Sequence, residues 1–228
     1  MDTIKLVIFD MAGTTVRDEG NVEEAFMQAC KEHGIDMPQD EIYSVMGFRK
    51  KDAIRILLDK VPVAVGSDTE ELIEQVHDTF NRKMIAFYEQ DETLQPLPYA
   101  EKTFGWLKNR GVKVALNTGF TRAITDTILK RLHWDKNSSI DYVIASDEVP
   151  EGRPHPYMVQ AIMQELKISD AGNVVKIGDT EVDIKEGRNA GCGLVIGITT
   201  GAYTNDQLQQ FNPDKIIDSL ADLPSLIQ

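Results

Sequence analysis

The 228-residue chain carries 37 acidic and 24 basic residues, a formal net charge of -13, and 42% hydrophobic residues. That balance argues against nucleic acid or an anionic membrane as a partner. No basic segment leads into an apolar stretch at the N-terminus and no run of ~18 apolar residues occurs, so a soluble, cytoplasmic protein is expected.

The first element is "KLVIFD" (5–10), a short apolar run closed by an acid, as in a strand buried on both faces. Residues 18–90 break into three stretches with apolar residues at helical spacing: "NVEEAFMQACKEHGI", "KKDAIRILLDKV" and "DTEELIEQVHDTFNRKMIAFYEQ". Strand-like runs resume at "VKVALNTG" (112–119), "DYVIAS" (141–146), "VVKIGDT" (174–180), "GLVIGITTG" (193–201) and "KIIDS" (215–219). Helical patterns near 100–110, 121–133, 156–167 and 182–190 separate them. Strand–helix alternation of this kind predicts an α/β fold, a doubly wound, Rossmann-like, mostly parallel sheet. The helical block predicts an inserted all-α cap domain over 18–91, with the core formed by 1–17 and 92–228. Hinges are expected near 16–20 and in the breaker-rich "QDETLQPLP" (89–97).

Ligands of an open parallel sheet bind beyond the carboxyl ends of its strands. The residues at those ends are Asp10, Thr118, the 147–153 segment and Asp179. Cys30 and Cys192 show no metal-ligand spacing and read as reduced, buried thiols. His33, His77, His133 and His155 share no motif and read as surface or packing residues. Trp106 and Trp134 read as core or helix–sheet contacts.

Taken in order, "DMAGTTV", Thr118 in "LNTGF", Arg153 in "EGRPHP" and "GDTEVD" with Asp179 and Asp183 resemble the four motifs of the haloacid dehalogenase superfamily. The resemblance implies an enzyme, a hydrolase with Asp10 as carboxylate nucleophile forming an aspartyl-phosphate. It implies Mg²⁺ held by Asp10, the Ala12 carbonyl and Asp179, with Asp183 ligating or orienting metal-bound water or Arg153. Thr118, the following N–H groups from Gly119 onward, and Arg153 would bind phosphoryl oxygens, while Gly13 permits the turn after Asp10 and belongs to the same phosphate-binding segment.

Most members of that superfamily carry an acid two residues after the nucleophile, which protonates the leaving group. Here the position is Ala12. Without such a proton donor an alkoxide would leave slowly, since general acid assistance contributes ~10²–10⁴-fold. A leaving group that stabilises its own electrons escapes the problem, and an iminium formed by a lysine on a substrate aldehyde is one. The "VMGFRKKDAIRILL" stretch (45–58) supplies Lys50, with Met46 and Gly47 before it. This segment and the motifs around it resemble the phosphonoacetaldehyde hydrolases, in which Met-Gly-x-x-Lys presents a Schiff-base lysine and the position matching Ala12 is also alanine. Candidate catalytic groups are therefore Asp10, Lys50, Thr118 and Arg153. Candidate substrate contacts add Ala12, Gly13, Gly119, Met46 and Gly47.

Two positions depart from that family. Its motif continues Lys-x-x-His, where this chain has Ala53, and its aromatic residue after the nucleophile is Met11 here. Lys50 lies between Arg49 and Lys51, and such clustered cations are expected to lower its pKa if the site is partly desolvated. The alternative activity is a phosphomonoesterase on a small phosphorylated metabolite without Schiff-base chemistry. A non-catalytic phosphate binder and a 2-haloacid dehalogenase are the other readings. A homodimer through the cap helices is compatible with the sequence.

Overall fold

A computed structural model describes residues 4–60 and 69–227. Six strands, β1 (Leu6–Asp10), β2 (Lys113–Thr118), β3 (Tyr142–Ala145), β4 (Val174–Gly178), β5 (Leu194–Ile198) and β6 (Lys215–Ile217), form one sheet in the order β3-β2-β1-β4-β5-β6. Every pairing is parallel, so the expected mostly parallel sheet is wholly parallel. The strands are short and apolar because helices cover both faces, leaving no side for polar alternation. Val7 and Phe9 pack on one face with Val114, Leu116, Val175 and Ile177. Leu6 and Ile8 pack on the other with Ala115, Ile144 and Val195. The period-2 alternation of a strand puts successive residues into different cores.

Between β1 and β2 lie α1 (Asn21–Glu32), α2 (Gln39–Tyr43), α3 (Lys50–Leu58), α4 (Thr69–Gln90) and α5 (Ala100–Lys108). The first four occupy the stretch read as a helical insert. The predicted helical patterns there include Val61 and Asp68, which lie outside the described residues. The five-residue α2 is too short to show a helical period and was not predicted. The two chain segments linking insert and sheet run side by side. Arg17 N donates to Gln95 O and Leu97 N to Thr15 O, at 3.1 and 2.8 Å.

The remaining helices are α6 (Arg122–Arg131), α7 (Tyr157–Glu165), α8 (Glu181–Asn189), α9 (Asn205–Gln209) and α10 (Leu223–Leu226). Cys30 and Cys192 are buried free thiols, as read from the sequence. Trp134 is buried edge-on against Phe104, and the half-buried Trp106 packs against the same core. Of the histidines, His77 is buried in α4 and His33 bonds Thr79. No helix among the described residues is long and apolar enough to cross a membrane.

Candidate active site

The strand order decides where the chemistry collects. β1 sits between β2 and β4, with Asp10 in register with Asn117 and Phe9 with Ile177. The acid closing β1 therefore lies beside Thr118 on one side and Asp179 on the other. The insert places the 46–50 segment over these strand ends. One cavity is lined by Asp10, Thr118, Arg153, Asp179 and Asp183 from the sheet and by Met46, Gly47 and Lys50 from the insert.

Close approach of the two parts depends on glycine. A Cβ on Gly119 would meet the carbonyl oxygens of Gly47 and Phe48 at 2.8 and 3.0 Å. Arg49 reinforces the contact, donating from Nη1 to the Pro150 carbonyl at 3.1 Å. Tyr43 of α2 stacks on Tyr203 at 5.6 Å between centroids. Gly13 lies behind Asp179 rather than on the cavity wall. Its φ is +83°, and a Cβ there would meet Asp179 Oδ2 at 2.6 Å, so the turn after β1 requires glycine at this position.

Arg153 is 2% exposed and anchors the floor. Its Nη1 lies 2.6 Å from Asp10 Oδ1 and 3.0 Å from Asp183 Oδ1. Nη2 donates to the Asn117 carbonyl at 2.8 Å and to Asn117 Oδ1 at 2.7 Å. Lys176, fully buried in β4, donates to Asn117 Oδ1 at 2.9 Å and to Asp183 Oδ1 at 2.8 Å, with Glu186 Oε2 at 3.4 Å. Asn117 Nδ2 donates to that same Glu186 oxygen. Asp183 is thus held through Oδ1 by two cations and through Oδ2 by the Thr180 hydroxyl at 2.6 Å.

The sequence reading missed Asn117, Lys176 and Glu186. A signal existed for Lys176: an ammonium in the middle of "VVKIGDT" cannot be buried without anionic partners. Glu186, three residues after Asp183, shares a face of α8 with it. Removing the ammonium leaves Asp183 and Glu186 buried with half their compensation. Lys176→Met is therefore expected to cost ~3–5 kcal/mol of folding stability, read as a lowered midpoint in urea denaturation.

Electrostatics divide three of the carboxylates of this floor. Burial raises Asp10 to about 6 against the opposing Arg153 charge. Burial, with Asp10 and Asp183 nearby, pushes Asp179 well above the usual carboxylate range. Burial also raises Asp183, but Arg153 and Lys176 outweigh it and hold that group low. Asp179 accepts from the Thr14 hydroxyl and from Ala202 N. Asp10, Asp179, Asp183 and Glu186 face two cations, Arg153 and Lys176, so the floor holds two more acids than bases. The Asp10–Asp179 pair is where a hard cation with oxygen ligands fits that excess.

Lys50 opens α3 and is buried at 4% exposure. Its Nζ lies 4.9 Å from the Phe26 ring centroid and 5.5 Å from that of Phe80. Burial lowers its pKa to about 8, offset in part by Asp18, Cys30 and Asp10. The expected influence of Arg49 and Lys51 is not the cause. Arg49 pairs with Asp52, and Lys51 points outward to Glu74, because neighbouring helical residues project about 100° apart. Thr118 Oγ1 accepts from Phe120 N at 3.2 Å, which turns the hydroxyl hydrogen away from that amide. Ala12 is half-buried on the cavity wall, next to Asp10.

Comparisons with known proteins identify the family. A phosphonoacetaldehyde hydrolase of Bacillus mycoides (strain KBAB4) is 31% identical over 222 residues, covering 92% of this chain and 83% of that protein. The crystal structure of a phosphonoacetaldehyde hydrolase-like protein from Oleispira antarctica superposes with a TM-score of 0.80 at 24% identity, over 98% of this chain and 91% of that one. A predicted phosphoglycolate phosphatase from Haemophilus somnus 129pt gives 0.78 at 22% identity over the whole of both chains. At those identities the two structures speak for the fold alone. The family model for haloacid dehalogenase-like hydrolases matches residues 4–191, and the chain, a hydrolase, belongs to that family.

Proposed function

We propose that this hydrolase cleaves the carbon–phosphorus bond of phosphonoacetaldehyde or a related aldehyde phosphonate, with residues 18–91 acting as a cap domain over a core of 1–17 and 92–228. The observation that carries the reading is Lys50: an amine buried beside two aromatic rings, lining the same cavity as Asp10, in a chain whose leaving-group position is Ala12. The sequence similarity to phosphonoacetaldehyde hydrolases supports it.

In this reading Lys50 Nζ adds to the aldehyde carbon, and loss of water from the carbinolamine gives an iminium. An Asp10 oxygen attacks phosphorus. The C–P bonding electrons move into the iminium, leaving an enamine on Lys50 and a phosphoryl group on Asp10. Water hydrolyses the aspartyl-phosphate, and protonation and hydrolysis of the enamine release acetaldehyde. Nothing departs as an alkoxide, so Ala12 is sufficient. Arg153 draws the phosphoryl group onto Asp10, and Thr118 with Gly119 faces its oxygens. Met46 and Gly47 close the aldehyde end.

Mg²⁺ suits the acid excess of the floor, with Asp10, the Ala12 carbonyl and Asp179 to hold it. It would supply the positive charge that lets two anions approach. Asp183, held by Arg153, Lys176 and the Thr180 hydroxyl, fixes the orientation of Arg153 in this reading.

Borohydride reduction in the presence of phosphonoacetaldehyde tests the reading. A covalent adduct at Lys50 is expected, located by peptide mass spectrometry. With a pKa of about 8, about one Lys50 in ten is neutral at pH 7. Trapping should therefore accelerate as pH rises through 8 and level off above it. No adduct, together with turnover of ordinary phosphate esters, would replace this reading by the phosphomonoesterase one. Ala53, buried where the resembling family has a histidine, is the observation that favours that second reading.

A further inference from the structure

Imine formation needs a group that moves protons between the amine and the departing oxygen, and Ala53 offers none. None of the histidines lines the cavity. Four carboxylates line it. Asp10, Asp179 and Asp183 belong to the Arg153 floor, where each is engaged by a floor group. The fourth is Asp18, on the segment entering the insert.

Asp18 is fixed from below. Its Oδ1 accepts from Asn21 N at 2.9 Å and Val22 N at 3.4 Å, at the start of α1. The same helix carries Phe26, whose ring sits beside Lys50 Nζ. The acid and one of the rings beside the amine are thus both tied to α1. Asp18 lines the same cavity as Lys50 and is the anion acting most strongly on it. Burial raises the Asp18 carboxyl despite its amide bonds, a direction that suits a group giving and taking protons.

We propose that Asp18 is the proton-transfer residue for Lys50, taking the place of the histidine that Lys-x-x-His would supply; this rests on the phosphonatase reading above. Asp18 takes one proton from the Lys50 ammonium, freeing the amine to add to the aldehyde, and gives that proton to the adduct oxygen. It then takes a second proton from the adduct nitrogen and gives it to the resulting hydroxyl, which leaves as water while the nitrogen lone pair forms the C=N⁺ bond and the nitrogen keeps its remaining hydrogen. Hydrolysis of the acetaldehyde imine runs the same transfers backwards.

Asp18→Asn keeps an oxygen for the Asn21 and Val22 amides, since asparagine serves helix starts as well as aspartate. The variant is expected to fold, to keep inhibition by inorganic phosphate, and to lose ~10²-fold in the rate of borohydride trapping at Lys50 by phosphonoacetaldehyde. Asp18→Glu, which restores a carboxylate, should recover part of that rate. If wild type traps and Asp18→Asn traps equally fast, Asp18 is only a helix cap and the proposal falls alone. If Asp18→Asn loses phosphate inhibition along with trapping, the effect is structural and the proposal also falls. If wild type gives no adduct at Lys50, the phosphonatase reading falls and takes Asp18 with it.

Discussion

Replacing Lys50 by arginine is expected to cut turnover of phosphonoacetaldehyde by ~10³-fold or more, equivalent to about 4 kcal/mol of barrier, and to abolish the borohydride adduct. Arginine keeps the positive charge above the phosphoryl site. Its guanidinium does not lose its proton at any working pH and so does not condense with an aldehyde. Without the iminium, the electrons of the C–P bond have no acceptor comparable to C=N⁺. KM should move far less than kcat, because the phosphoryl group is held mainly by the floor. Hydrolysis of p-nitrophenyl phosphate, whose leaving group needs no proton, should survive within about tenfold. If phosphonoacetaldehyde turnover survives equally well, Lys50 is an anion-attracting residue of a phosphomonoesterase.

Asp10→Asn has the larger reach. An amide oxygen is a poor nucleophile, and the variant also takes one negative charge from the Arg153 cluster. Turnover of both phosphonate and ester substrates is expected to fall by ~10⁴-fold or more. Folding should hold, since Arg153 keeps Asp183 at 3.0 Å and two bonds to Asn117. Near-UV circular dichroism checks the fold, and steady-state kinetics on the two substrates checks the loss. Imine formation at Lys50 should persist in this variant, because it precedes attack on phosphorus. Unchanged turnover on both substrates would remove Asp10 from the chemistry.

These two variants separate the halves of the site, and the halves differ in how far the sequence discloses them. The strands, their order of appearance and the acids closing β1 and following β4 follow from local patterns. A short apolar run ending in Asp is readable without knowing what lies beside it. Period and punctuation are properties of neighbouring residues, so "KLVIFD" and "GDTEVD" declare themselves. Lys50 could be singled out because Ala12 left a chemical step unassigned.

What the pattern could not give was contact between residues distant in the chain. Lys176 and Asn117 are 59 residues apart, and Arg153 and Asp10 are 143 apart. Their pairing depends on β1 lying between β2 and β4, a consequence of the whole sheet. The lowered pKa of Lys50 shows the same limit. Sequence neighbours Arg49 and Lys51 suggested a cationic cause, but a helix sends adjacent side chains to different surroundings, and Phe26 and Phe80 from other helices bury the amine.

The sequence alone determined the α/β class, the candidate nucleophile and the vacancy at Ala12 for a leaving-group acid, because each is a matter of residue type and spacing. Only the tertiary structure decided that Lys50 shares a cavity with Asp10, that Asp183 is engaged by Lys176, and that Asp18 faces the same space as Lys50. Burial and electrostatic partnership arise when separate elements pack, and no segment carries them by itself.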